Sequence, residues 1–143
     1  MLKFRSFEIE DIKELYQNAI DDIVSNTSET DLLKYAEINK NAGPAFTGLL
    51  NDKPICAAGI HLRRGKSGHL WSVLSKSASN HKKTVFKSLK LMLGIVIKQN
   101  GLRKIITESR KGFPQSQRLI EHLGFIRQRH SFRDDYYFYR KVI

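Results

Sequence analysis

Between Asn80 and Asn100 the apolar residues Val85, Leu89, Leu93, Val96 and Ile97 form one stripe. Lys82, Lys83, Lys87, Lys90 and Lys98 cover much of the remaining surface. That spacing predicts a helix of about five turns with one dry face, and Gly101 in QNGL supplies the left-handed residue that stops it. The polar loop SKSASN precedes it and the short alternating run RKIITE follows it. A long one-sided helix set between strands is expected to lay its stripe on a sheet, as in an α+β fold.

The rest of the chain supplies that sheet. Leu2 to Ser6 alternates like a strand, and Glu8 to Asn18 carries Ile9, Ile12, Leu15 and Tyr16 at helical spacing with acids in its first turn. Ser28 or Thr30 caps a second helix through Leu32, Leu33, Tyr35, Ala36 and Ile38, which ends at Asn41-Ala42-Gly43-Pro44. Ala45 to Leu50 and Lys53 to Leu62 flank Asn51-Asp52, a hairpin turn. The basic turn RRGKSG leads to a third strand, Gly68 to Ser75, so an antiparallel meander is expected. After the long helix come a strand from Arg103 to Glu108 and a helix from Pro114 to Leu123. Strands from Phe125 to Phe132 and from Tyr136 to Val142 complete the chain. Its alternation sets Tyr136, Phe138 and Arg140 on one face and Tyr137, Tyr139 and Lys141 on the other, one of them facing the core. The order β-α-α-β-β-β-α-β-α-β-β makes residues 1–143 a single α+β domain, a mixed sheet with helices on both faces.

Composition narrows the class. The hydrophobic fraction of 41% suffices for one core and excludes disorder. No run is long enough to span a membrane, and the acidic, amphipathic start reads as neither a signal nor a transit peptide. One cysteine, Cys56 in PICAAGI, excludes a disulfide framework and reads as buried filler, with the cytoplasm as the expected compartment. His61, His69, His81, His122 and His130 lack paired helical spacing, so no metal site is expected. Lys plus Arg total 25 against 14 acids, a net +11 that attracts polyanions: nucleic acid, phosphate-rich cofactors or acidic proteins.

The tail of the last helix, QRLIEHLGF, ends in Leu119-Ile120-Glu121-His122-Leu123-Gly124-Phe125. With the element order, this resembles the GNAT superfamily of acyl-coenzyme A-dependent N-acyltransferases over most of the chain. It also looks similar to the small divergent members encoded by bacteriophages. The resemblance implies a GNAT-like fold, acetyl-coenzyme A (acetyl-CoA) as acyl donor and an amine acceptor. It places the pantetheine arm along Leu74, Ser75 and Lys76. The pyrophosphate falls at Ser79, Asn80, His81, Lys82, Lys83, Thr84 and Val85, with Ser116 and Ile120 bordering the cofactor. The family loop Arg/Gln-x-x-Gly-x-Gly/Ala falls on His81 to Phe86, where both glycines are missing. Ser, Asn and Lys groups and the helix N-terminus can bind phosphate there instead, or the stretch is a capped helix start with a solvated lysine face. Ile120 occupies the place of the tyrosine that protonates the departing thiolate in many members.

The implied chemistry needs a base for a substrate ammonium. Glu108 at the end of RKIITE and His69 in GHLWS are the candidates, with His61 behind them; each also reads as an ordinary solvated strand residue. Two functions remain: an N-acetyltransferase whose acceptor amine is carried by a protein or another acidic or polyanion-associated substrate, or a GNAT-fold binding or structural protein without catalysis, for which nucleic acid is the candidate partner.

Overall fold

The computed structural model describes residues 2–19 and 27–143. Strands β1 (Leu2–Ser6), β2 (Ala45–Leu50), β3 (Lys53–Arg63) and β4 (Ser67–Leu74) form the expected meander. Asn51 and Asp52 both take positive φ, 50° and 65°, the geometry a two-residue hairpin loop needs to match strand twist. Strands β5 (Lys104–Arg110), β6 (Ile126–Arg127) and β7 (Tyr136–Val142) complete a seven-stranded sheet in the order β1-β2-β3-β4-β5-β7-β6. Every neighbouring pair is antiparallel except β4 with β5.

Among the described residues, four α-helices cover the sheet. On one face lie α1 (Asp11–Gln17) and α2 (Glu29–Asn41), whose Ile12, Leu15, Leu32 and Ala36 pack with Ala57, Trp71 and Val73. Ser28 caps α2 by accepting a hydrogen bond from the Asp31 N–H at 3.3 Å. On the other face lie α3 (Lys82–Asn100) and α4 (Pro114–His122). The stripe of Val85, Leu89, Leu93 and Val96 packs with Ile120, Ile60, Leu70 and Ile105 there. Both helices stop on glycine. Gly101 (φ 58°) and Gly124 (φ 95°) take the left-handed conformation, and the amides beyond them return to Ile97 and Ile120.

Several boundaries differ from the sequence reading: α1 begins at Asp11 rather than Glu8, and β5 runs on past Glu108 to Arg110. Residues Lys76–His81 wind into a 3-10 helix, so α3 begins at Lys82, two residues later than expected. The strand expected over Phe125 to Phe132 is confined to Ile126–Arg127 because the chain then leaves the sheet in an exposed loop. Cys56 is buried, and loss of hydration pushes its thiol up to about 11, so it is inert filler. Among the described residues no helix is long and apolar enough to cross a membrane.

Gly59 in β3 lies beneath Trp71. A Cβ there would lie 2.7 Å from the Pro44 carbonyl oxygen and 2.7 Å from Trp71 Nε1. Gly59→Ala is therefore expected to destabilise the fold by about 1–3 kcal/mol, read as a lower urea midpoint at unchanged slope.

Candidate functional site

Parallel strands β4 and β5 stay together for three residue pairs, Ser67 to His69 against Lys104 to Ile106. Beyond His69 the strands part, and the last tie between them is Thr107 Oγ1 donating to the Leu70 carbonyl at 2.9 Å. From there β4 pairs only with β3, and β5 only with β7. The resulting wedge opens to both faces of the sheet.

On the α1/α2 face the wedge leads into a cavity of about 790 Å3. His61, His69 and Glu108 all line it. The strand register explains why: His61 lies opposite His69 on β3 and β4, and Glu108 projects from β5 on the same face as His69. The two imidazole rings are 6.2 Å apart. Glu108 Oε2 accepts from Arg133 Nε at 3.2 Å.

Hydrogen-bond partners assign each histidine a tautomer. His61 Nε2 lies 2.5 Å from Asn39 Oδ1. An amide oxygen only accepts, so this nitrogen carries the proton and Nδ1 of the neutral ring is bare. His69 Nδ1 lies 3.3 Å from Arg63 Nη2. A guanidinium only donates, so the lone pair of His69 is engaged and its Nε2 holds the proton. Burial lowers the pKa of both rings, aided by the Arg63 charge; Glu108 opposes this at His69, without reversing it. Both are neutral at pH 7. His61 can accept a proton, whereas His69 presents a donor.

On the α3/α4 face lies a groove of about 340 Å3. Leu74, Ala78, Val85, Phe86 and Leu119 form an apolar floor, and Lys82, Lys83 and Arg118 supply positive charge. Leu74 lines both the groove and the larger cavity, at the mouth of the wedge.

The sequence-expected cofactor residues divide. Leu74, Ser79, Lys82, Lys83 and Val85 line the groove, and Ser116 lines the larger cavity. Ser75 is buried beside them, with an Oγ that has no hydrogen-bond partner. Lys76, Asn80 and Thr84 are exposed and His81 half-buried, but none of the four lines either space. Ile120 lies in the core, 5% exposed, and lines neither. Residues missed from sequence include Gln115, Arg118, Leu119 and His122, which form one face of α4. Their spacing of three, four and seven was available as a signal. Asn39, Trp71, Arg110 and Arg133 reach the cavity only through tertiary contacts. The Tyr136 face of β7 walls the cavity, while Tyr139 on the other face is fully buried in the core.

Comparison with known proteins gives no match to a family model and none to a curated protein. Solved structures do match. A GNAT-family acetyltransferase from Bacillus anthracis is 19% identical, aligning over 99% of this chain and 94% of its own with a TM-score of 0.71. Ribosomal-protein-S5-alanine acetyltransferase from Vibrio fischeri is 15% identical over 99% and 92%, with a TM-score of 0.70. An aminoglycoside acetyltransferase in complex with coenzyme A is 15% identical over 99% and 95%, with a TM-score of 0.74. The splayed sheet, the helix placement and these alignments agree: this chain has the GNAT acetyltransferase fold.

Proposed function

We propose that this protein is an N-acetyltransferase that moves acetyl from acetyl-CoA to an amine by direct attack within a ternary complex. The observation that carries this is the meeting of two chemically different spaces at Leu74, the end of β4 in the wedge left where β4 and β5 have parted. One is apolar with a cationic rim and the other polar and aromatic, as a two-substrate transfer requires.

The groove fits acetyl-CoA. Its apolar floor matches a pantetheine arm, and Lys82 and Lys83 stand in the first turn of α3, where the helix dipole also attracts phosphate. Ser75 Oγ, buried without a partner next to Leu74, is a further group a ligand would satisfy. The missing loop glycines are offset by this charge. Acetyl-CoA bound there would supply an activated thioester to the wedge.

His61 takes one ammonium proton at Nδ1, directly or through a water, and releases it to solvent. The nitrogen–carbon bond then forms as the carbon–sulfur bond breaks, and the second proton ends on sulfur. Asn39 holds the His61 ring in the receptive tautomer. Glu108 attracts the incoming ammonium, and His69 Nε2 offers a hydrogen bond to developing negative charge. With Ile120 in the tyrosine position, Ser116 is the hydroxyl of α4 that lines the cavity and can donate toward sulfur.

Calorimetric titration with acetyl-CoA tests the reading. Binding is expected, and reversing Lys82 and Lys83 to Glu is expected to weaken it about tenfold or more, since each charge-assisted contact is worth about 1.5–3 kcal/mol. Absence of binding at millimolar ligand overturns the proposal and leaves the fold as a binding module.

A further inference from the structure

The loop between β6 and β7 carries chemistry that the transfer reaction does not use. It borders a depression of about 720 Å3 lined by Lys111, Arg127, Arg129 and Arg133, with Asp134 as its carboxylate. Arg133 and Tyr136 line both this depression and the cavity that holds His61, so the two spaces are continuous. Three of these cations lie over aromatic rings, and of the three Arg133 is also paired with Glu108. The Arg127 guanidinium lies 4.4 Å from the Tyr137 ring centre, the Lys111 ammonium 5.4 Å from the same ring, and the Arg133 guanidinium 3.6 Å from Tyr136. Neither Arg127 nor Arg129 forms an ion pair among the described residues. At the tip, Phe132 is 86% exposed, an apolar anchor beside a fixed cationic surface.

We propose that the acceptor amine is presented by an acidic polypeptide segment that docks on the surface between Arg127 and Tyr136. This rests on the acetyl-transfer reading and names its substrate class. A polycationic acceptor would need several carboxylates. Among the described residues the cavity lining offers Glu108 alone as a carboxylate, already bridged to Arg133. The Arg127 guanidinium, stacked on Tyr137 and without an ion pair among the described residues, suits a carboxylate, which a guanidinium binds through two parallel hydrogen bonds. The reaction also separates polypeptide from nucleic acid. It consumes an alkylammonium, which a polypeptide carries at its N-terminus and at lysine and which nucleic acids lack. The docked chain would lead its amine past Arg133 and Tyr136 to Glu108 and His61.

Fluorescence anisotropy decides this independently of catalysis. The probes are a fluorescein-labelled Glu-rich peptide, the same peptide with Gln at every Glu, and a single-stranded oligonucleotide of equal net charge. The Glu peptide is expected to bind about tenfold or more tightly than the Gln peptide, more tightly than the oligonucleotide, and less so as salt rises. Arg127→Glu with Arg129→Glu, both exposed and outside the cavity, is expected to remove that preference while leaving acetyl-CoA affinity unchanged. Equal binding of the Glu and Gln peptides, a preference for the oligonucleotide, or indifference to the double substitution each overturns the proposal. Failure of acetyl-CoA to bind the unaltered protein would instead remove the transfer reading, and the anisotropy result would still report the docking surface.

Discussion

With His61 changed to glutamine, kcat for acetyl transfer is expected to fall by roughly 10²- to 10⁴-fold, the usual contribution of a positioned base. Glutamine keeps an N–H that can reach Asn39 Oδ1 but offers no basic nitrogen, so the fold and the acetyl-CoA affinity should survive. The pH profile supplies the sharper reading. Burial and the Arg63 charge lower the His61 pKa, so its proton leaves below the ordinary histidine value of about 6.5. The rate should therefore be level in this group above pH 7 and fall as pH drops through the lowered pKa. In the glutamine variant that acid limb should disappear. His69→Gln should cost no more than about tenfold, because the engaged lone pair of His69 already bars it from accepting a proton. If instead His69→Gln abolished the acid limb and His61→Gln did not, the roles would be reversed.

That comparison also marks where sequence reasoning stops. The sequence offered Glu108, His69 and His61 as possible bases, and the fold brings all three into one cavity. Choosing among them depends on Asn39 and Arg63, whose partners are set by tertiary placement of α2 and by a strand end. No local pattern encodes either contact. Elements fixed by local chemistry were legible: the Ser28 cap, the Asn51-Asp52 turn, and the glycine stops at Gly101 and Gly124 each depend on one or two residues acting on their own backbone. The 3-10 helix at Lys76–His81 was not, because so short a helix has no periodicity to read. The strand expected to reach Phe132 was over-read for a different reason. Alternation in FIRQRHSF describes a possible strand, but only pairing makes one, and pairing with β7 covers Ile126 and Arg127 and ends at the Gln128 N–H, which donates to the Phe138 carbonyl at 2.8 Å.

The departure of QRLIEHLGF from the GNAT pattern it resembles takes on a physical meaning once the groove is in view. Leu119 and its neighbours one turn away on α4 floor and rim the groove, whereas Ile120 turns into the core against the α3 stripe. An isoleucine there strengthens packing and surrenders a proton donor. Under the proposed transfer, the hydroxyl of Ser116 would donate to the thiolate or the thiolate would leave unaided. The same helix thus carries both the adhesion of the fold and the electrostatic rim of the groove, on faces one residue apart.

The largest stability effect is expected at Asp11, which joins β1, α1 and β2. Its carboxylate accepts from Arg5 Nη1 and Nη2 at 2.8 and 2.7 Å, from the Glu8 N–H at 2.9 Å and from Thr47 Oγ1 at 2.7 Å. Asp11 is 5% exposed and Thr47 fully buried. Asp11→Ala leaves the Thr47 hydroxyl and the Glu8 amide without their acceptor, and should cost about 3 kcal/mol, lowering Tm by about 10 °C. Because α1 carries Tyr16 to the cavity wall, activity should fall as well, but at temperatures where the variant is folded the acetyl-CoA groove should keep its affinity. Burial of Asp11 favours its neutral form, yet the hydrogen bonds from Arg5, Glu8 and Thr47 outweigh it, and its pKa lies below the ordinary aspartate value. A depressed folded pKa gives stability that is complete above the unfolded value, about pH 4, and is lost as pH falls through the folded one. Urea midpoints measured from pH 6 downward should therefore converge for the native protein and Asp11→Asn below pH ~4. A gap that stayed constant through that range would mean that the shape of the side chain, and not its charge, holds β1 to α1.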